Sequence, residues 1–362
     1  MKLKLSILLL SFCVLGFSNA ISAQGCIAIR STGGVSTMDH AALADTLSKW
    51  EFNMNNRYFK SFRHFSGTTQ EKQRVALGTD VINHQYTMDL TPTFHLNKWW
   101  SFSVDLPILA NSRSSLYEHD GINRYVTHSF GLGDIRLTAY RWMVDPSKMP
   151  KGNIQFGLGI KLPTGDYDFQ DLFHKTDSTV VLGPVDQSIQ LGDGGTGFTG
   201  EVNAYYNFSK HFSGYTNLYY LLNPRDENGT LTSRGSAPSA SSVKNGSFVM
   251  SVPDQYLVRF GVNYTARDLT VSLGARDECL PVHDLIGGSD GFRRPGFIIS
   301  AEPGISYSIK KINIYAFVPI AVFRDRTQSV PDKIQTELTG VYSHGDAAFA
   351  DYTVNVGFTI RF

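Results

Sequence analysis

The residues able to do chemistry are few and scattered. Two His-Asp pairs stand in loops, His119-Asp120 and His283-Asp284. A histidine and an acid in adjacent loops could serve a hydrolase, but neighbours along an extended chain point apart, and general-base catalysis needs reach of about 3 Å. Asp166, Asp168 and Asp171 are spaced loosely like calcium ligands, without the glycine and distal glutamate that complete a calcium loop. Gly131-x-Gly133 and Gly192-Asp193-Gly194-Gly195 are followed by neither Lys-Ser nor Lys-Thr and open no helix, so they read as strand and turn glycines rather than phosphate loops. No catalytic set, metal site or cofactor is expected.

A longer series of polar residues falls opposite the apolar rows: Asp89, His95, Asp105, Asp134, Arg136, Lys161, Glu201, Arg259, Arg276, Glu302, Asp351 and Arg361. Tyr205, Tyr215, Tyr219, Tyr315 and Phe317 share their face. Groups like these could line a polar track with aromatic contacts, or pair with one another as an internal salt-bridge network.

What positions them is alternation. Tyr86, Met88, Leu90, Pro92, Phe94 and Leu96 oppose Thr87, Asp89, Thr91, Thr93 and His95. After Asn97-Lys98 the pattern resumes, with Trp100, Phe102, Val104, Leu106 and Ile108 on the apolar face. Strict period-two arms joined by a two-residue link predict a β-hairpin. The same pattern returns at 154–162, 198–208, 255–264, 297–309 and 351–362, with less regular arms at 47–60, 131–144, 212–222, 269–276 and 312–323. Twelve strands result, with short links alternating with long polar loops, the arrangement of an all-β, antiparallel up-and-down barrel with both termini on the short-turn side.

Composition decides what surrounds such a barrel. The 362 residues are 42% hydrophobic and 12% aromatic but only 18% charged, where a soluble domain has about a quarter. Lys plus Arg total 33 against 32 Asp plus Glu, which leaves no basic surface for nucleic acid. Mean hydropathy is -0.15, and no apolar run reaches the ~18 residues of a membrane helix. The best arms carry apolar rows 9 to 11 residues long. At ~3.3 Å per residue and a tilt near 40°, they would cross the ~25 Å apolar band of an outer membrane. Trp99, Trp100, Phe208, Phe212, Tyr264, Tyr307 and Phe362 gather beside the short turns, where membrane-water boundaries favour aromatic rings. Lipid is therefore the expected partner of the apolar face.

Residues 1–23 read as a secretory signal: Lys2 and Lys4, the apolar stretch Leu5 to Phe17, then small residues. Its removal takes away two lysines and no acid, moving the formal balance from +1 to -1. Residues 24–46 form an N-terminal periplasmic or plug segment, and 47–362 the barrel. Cys26, after Ala23-Gln24-Gly25, is free, lipidated or bonded to Cys279; the last option requires the N-terminal segment to thread the lumen.

The last strand, Tyr352 to a terminal Phe362, resembles the carboxy-terminal signal by which bacterial outer-membrane barrels are recognised for assembly. Gly131-Leu132-Gly133-Asp134-Ile135-Arg136-Leu137 and Gly157-Leu158-Gly159-Ile160-Lys161-Leu162-Pro163-Thr164-Gly165-Asp166 resemble a family of outer-membrane barrels named after the meta-pathway of phenol degradation. That family is loosely similar to channels for long-chain fatty acids and aromatic hydrocarbons. The resemblance implies a Gram-negative outer-membrane location, the assembly machinery as a partner, and passage of small, poorly soluble molecules. Three functions stay open: a passive channel for small hydrophobic or aromatic solutes, a sealed barrel whose loops bind something outside, and, against the absence of a phospholipase-type serine signature, a rim hydrolase.

Overall fold

The computed structural model describes residues 48–149 and 151–362; the expectations for residues 1–46, including Cys26, lie outside them. Twelve antiparallel wall strands run in chain order. They are β1 Trp50–Ser66, β2 Ile82–His95, β3 Trp100–Ser115, β4 Tyr125–Leu132 continued by Arg136–Trp142, β5 Gly152–Lys161 and β6 Gly197–Asn207. The remainder are β7 Phe212–Leu222, β8 Gln255–Ala266, β9 Leu269–Leu280, β10 Gly296–Ile309, β11 Ile312–Phe317 continued by Ile320–Asp325, and β12 Ala347–Arg361. Each pairs with its chain neighbours, and β1 meets β12 from Glu51↔Arg361 upward, closing the cylinder.

The period-two sequence sets the two faces. Along β3, exposed Trp100 and Phe102 alternate with buried Ser101, Ser103 and Asp105. The outside is an apolar belt: Leu158 is 74% exposed and Leu273 60%, with Phe260 and Val262 beside them. Outward apolar rows of this kind are stable only against lipid, while the buried set is dominated by Asn, Ser, Thr and charged residues. This is the inverse of a soluble sandwich. The short turns are built locally: Asn97 accepts from the amides of Trp99 and Trp100 at 2.8 and 3.0 Å, and Arg267 and Lys310 take left-handed φ in two-residue links.

Several strands outrun the sequence expectation. β1 continues to Ser66, β3 to Ser115 and β9 to Leu280, which moves Cys279 from a loop into the wall opposite Tyr256. Alternation persists there, but the outward residues turn polar once the strand leaves the belt. By contrast β5 stops at Lys161 and β6 starts at Gly197, so the wall is tall over β1–β3 and low at β5–β6.

Two strands are broken. β4 is interrupted at Gly133-Asp134-Ile135, its upper part pairing with β3 alone within the wall. β11 breaks at Val318-Pro319, since proline lacks the donor a ladder needs; its continuation pairs with β10 but meets β12 only at Ile320↔Tyr352. Three helices sit in the long loops: α1 Lys72–Ala76, α2 Ala240–Asn245 and α3 Val330–Thr339, the last with a Ser329–Asp332 capping box. Asn245 of α2 donates to Gln335 of α3 at 3.2 Å.

Candidate functional site: the barrel lumen

The middle of the lumen is filled by ion pairs projected from alternate positions of neighbouring strands. On β8 to β10, Arg259 Nε donates to Glu302 Oε1 at 3.0 Å, Arg276 Nη1 reaches Glu302 Oε2 at 3.4 Å, and Arg276 Nη2 donates to Glu278 at 2.7 Å. Across the barrel, Arg136 Nη2 donates to Asp105 at 2.9 Å, and Asp105 also accepts from Thr91 at 2.9 Å. Tyr140 donates to Glu201 at 2.9 Å. Rings complete the layer: Arg259 lies 4.9 Å from the Phe317 centroid and Arg136 5.2 Å from that of Tyr219. Tyr315 stacks on Phe317 and accepts from Asn53 at 3.0 Å. Asp89 is buried in the same layer. Charges buried this deeply are tolerated because they are paired, and they form a floor across the axis.

Other residues of the predicted row lie elsewhere. Lys161 joins Asp134 and Asp193 at the top of β5, beside the interruption in β4, so Asp134 belongs to the break and not to an alternating row. His95 ends β2 at the short-turn side, half-buried, its amide donating to the Lys49 carbonyl at 2.8 Å. Tyr205 is half-buried against the edge of Trp142. Arg361 pairs with Glu51 at 2.8 Å at that same end. Asp351 sits above the belt between Arg63 and Arg324, at 3.0 and 2.9 Å, and is half-exposed rather than deep in the lumen.

The long loops fold inward over the floor. Residues 162–196 carry a hairpin (Gln170–His174 with Val180–Pro184) and then a 3₁₀ turn, Gln187–Ile189, whose Ile189 is completely buried. The carbonyl of Ile189 accepts from Asn111 at 3.4 Å on the barrel wall. From the other side come Met250, in the hairpin of Glu227–Leu231 with Val249–Ser251, and Val252 just after it, 2% and 0% exposed. Asp186 fastens this roof: it accepts from Arg234 at 3.0 Å and Arg294 Nη1 at 2.8 Å, with Arg113 3.5 Å away. Burial alone would raise the Asp186 carboxyl, but Arg113 and Arg294 overcome that and hold it well below the ordinary carboxylate range. Glu118, buried and paired with Arg113 at 2.8 Å, is likewise lowered despite burial.

Sequence reasoning missed this roof. Arg113 lies on β3 beyond the apolar row that ends at Ile108, so the alternation did not mark it as inward. Asp186 carried a weak signal, the apolar residues Val185, Ile189 and Leu191 set in a polar loop.

Between roof and floor lies a cavity of about 60 Å³. Leu109, Leu191, Leu221, Met250 and Tyr219 supply its apolar wall, and Arg136, Lys161, Asp134 and Asp193 the polar side.

The candidates for hydrolysis are not assembled. His119 Nδ1 accepts from the amide of His174 and its ring stacks on Phe173, while the Asp120 carboxylate accepts from the amides of Ile122 and Asn123. Asp284 is held by Arg293 at 2.7 and 2.8 Å. Asp166 and Asp171 accept from the backbone amides of Asp168 and His128.

A closed twelve-stranded barrel with a lipid-facing belt and a polar interior defines a bacterial outer-membrane barrel protein, and that is the class of this chain. Comparison with solved structures agrees. An outer membrane channel from Pseudomonas putida F1 superposes with a TM-score of 0.55 at 9% identity, covering 87% of this chain and 96% of the channel. The toluene transporter TbuX of Ralstonia pickettii gives 0.43 at 10% identity over 94% and 97%, and the translocator domain of the autotransporter NalP from Neisseria meningitidis 0.43 at 12% over 88% and 91%. The first likeness supports the fold; the other two add nothing to it. No family model and no curated protein matches the sequence.

Proposed function

We propose that the protein is a passive outer-membrane channel for small hydrophobic or aromatic solutes. The observation that carries this reading is the cavity enclosed beneath the roof, walled on one side by Leu109, Leu191, Leu221 and Met250. At about 60 Å³ the cavity is smaller than a ring, and it becomes a seat for an apolar guest when the roof lifts. Its roof is borne by loops, which can shift at far lower cost than the strand-borne floor. The buried ion pairs of the floor lie below the cavity, and the interruption of β4 at Gly133-Asp134-Ile135 borders it through Asp134, which is where we place the exit toward lipid.

Uptake of a one-ring solute by intact cells that retain their lipopolysaccharide tests the proposal. Expression of the protein is expected to speed uptake, and filling the cavity with Leu109→Trp or Leu221→Trp to slow it while the barrel still assembles. Uptake no faster than in cells lacking the protein would instead support a sealed barrel displaying its loops.

A further inference from the structure

The cavity is not uniformly apolar, and one of its residues has unused chemistry. Arg136 lines it and is only 5% exposed. Its Nη2 is committed to Asp105 and its guanidinium also engages Tyr219, while Nε and Nη1 are buried without an assigned acceptor. A guanidinium carries five donors in a fixed fork, and buried donors left without acceptors cost more when they are charged. At about 60 Å³ the cavity has room for several waters but not for an aromatic ring, so a passing solute must lift the roof and displace whatever hydrates those donors. A pure hydrocarbon would strip two charged donors and return nothing. A solute with a carbonyl, ester or ether oxygen replaces the lost acceptor.

The charges nearby say which acceptor. Lys161 is already engaged by Asp134 and Asp193, and Arg136 by Asp105, so three carboxylates face two cations, with Glu201 close below. A carboxylate solute would enter a region already in negative excess; a neutral acceptor meets no such opposition.

Building on the channel reading, we propose that Arg136 makes the cavity selective for neutral, oxygen-bearing aromatic or apolar solutes over both hydrocarbons and carboxylates. Arg136 here is a binding residue whose fork reads the acceptor.

Three probes of one ring, benzaldehyde, toluene and benzoate, separate these classes in equilibrium binding to the full chain in lipid nanodiscs. Benzaldehyde is expected to bind at least ~10-fold more tightly than toluene, the scale of one charge-assisted hydrogen bond, with benzoate weakest. Arg136→Lys keeps a cation for Asp105 but removes the fork, and should abolish the advantage of benzaldehyde while leaving toluene unchanged. The paired change Arg136→Gln with Asp105→Asn, which removes the ion pair without stranding a charge, should do the same. Toluene binding as tightly as benzaldehyde, benzoate binding best, a preference that survives both variants, or no binding of any probe would overturn the inference. The channel reading is judged separately, by uptake in cells: rings that enter without discrimination leave it standing and remove only the role of Arg136.

Discussion

Asp186 is a meeting point of four separate pieces of chain: its own loop, Arg113 on β3, Arg234 in the 223–254 loop, and Arg294 ahead of β10. Removing its charge leaves buried arginines short of a partner, a loss of about 3–5 kcal/mol when a buried pair is broken one-sidedly. Asp186→Asn should therefore loosen the roof without unfolding the wall, seen as faster proteolysis within the exposed turn at 175–179 and faster exchange of the Ile189 amide, which donates to the Asp186 carbonyl at 2.9 Å. Acid should act in the same direction. Asp186 and Glu118 are lowered in the docked state relative to a free carboxylate near pH ~4, so their contribution is complete above that value. It fades as pH falls below ~4 toward their docked values, when protonation favours the undocked loop. Ile189 protection, corrected for intrinsic exchange, should hold above pH ~4 and fall progressively as the pH drops below it, and less so in Asp186→Asn.

At the scale of the strand, alternation was legible wherever the outward row stayed apolar, because lipid demands that row be oily. It became illegible above the belt, where the outward row of β3 turns polar and buried Phe59 and Phe65 break the two-faced pattern of β1, and at the breaks in β4 and β11, where turn-forming residues interrupt a wall instead of ending it. The inward glycines had a purpose that spacing alone did not disclose. Tyr140 lies over Gly157, and a Cβ at that glycine would stand 2.6 Å from the tyrosine ring; Tyr215 lies over Gly261 and Gly274 in the same way, and Tyr315 over Gly357. Large rings on one strand thus occupy the space that glycine leaves on the next. Gly157→Ala should lower stability by about 1–3 kcal/mol through overpacking, and a double-mutant cycle with Tyr140→Ala should recover most of that loss in thermal unfolding.

For the whole molecule, the governing choice is between lipid and water on the outside. Leu158 stands 74% exposed on β5, and Leu158→Arg should weaken folding into bilayers by up to ~2–4 kcal/mol, depending on depth, while a soluble protein would accept arginine there with little change. Phe362 closes the cylinder by exchanging two backbone hydrogen bonds of 3.0 Å with Trp50. We expect its deletion to reduce insertion into the outer membrane, measured as the fraction of chain recovered there, through the assembly machinery its strand resembles a signal for. The candidate site was less legible than the shell around it. The floor came from strand parity, but the cavity exists only because two loops return inward, and the pairing of Asp186 with arginines up to 108 residues away leaves no local trace.

The unequal height of the rim also gives the molecule a mechanical order. The roof loop springs from the short staves β5 and β6 and leans on the tall ones, where Asn111 and Ser129 receive the carbonyl of Ile189. Pulled from its tip, it should swing away like a hatch hung on one jamb, in a single early event at low force, before any stave parts from its neighbour.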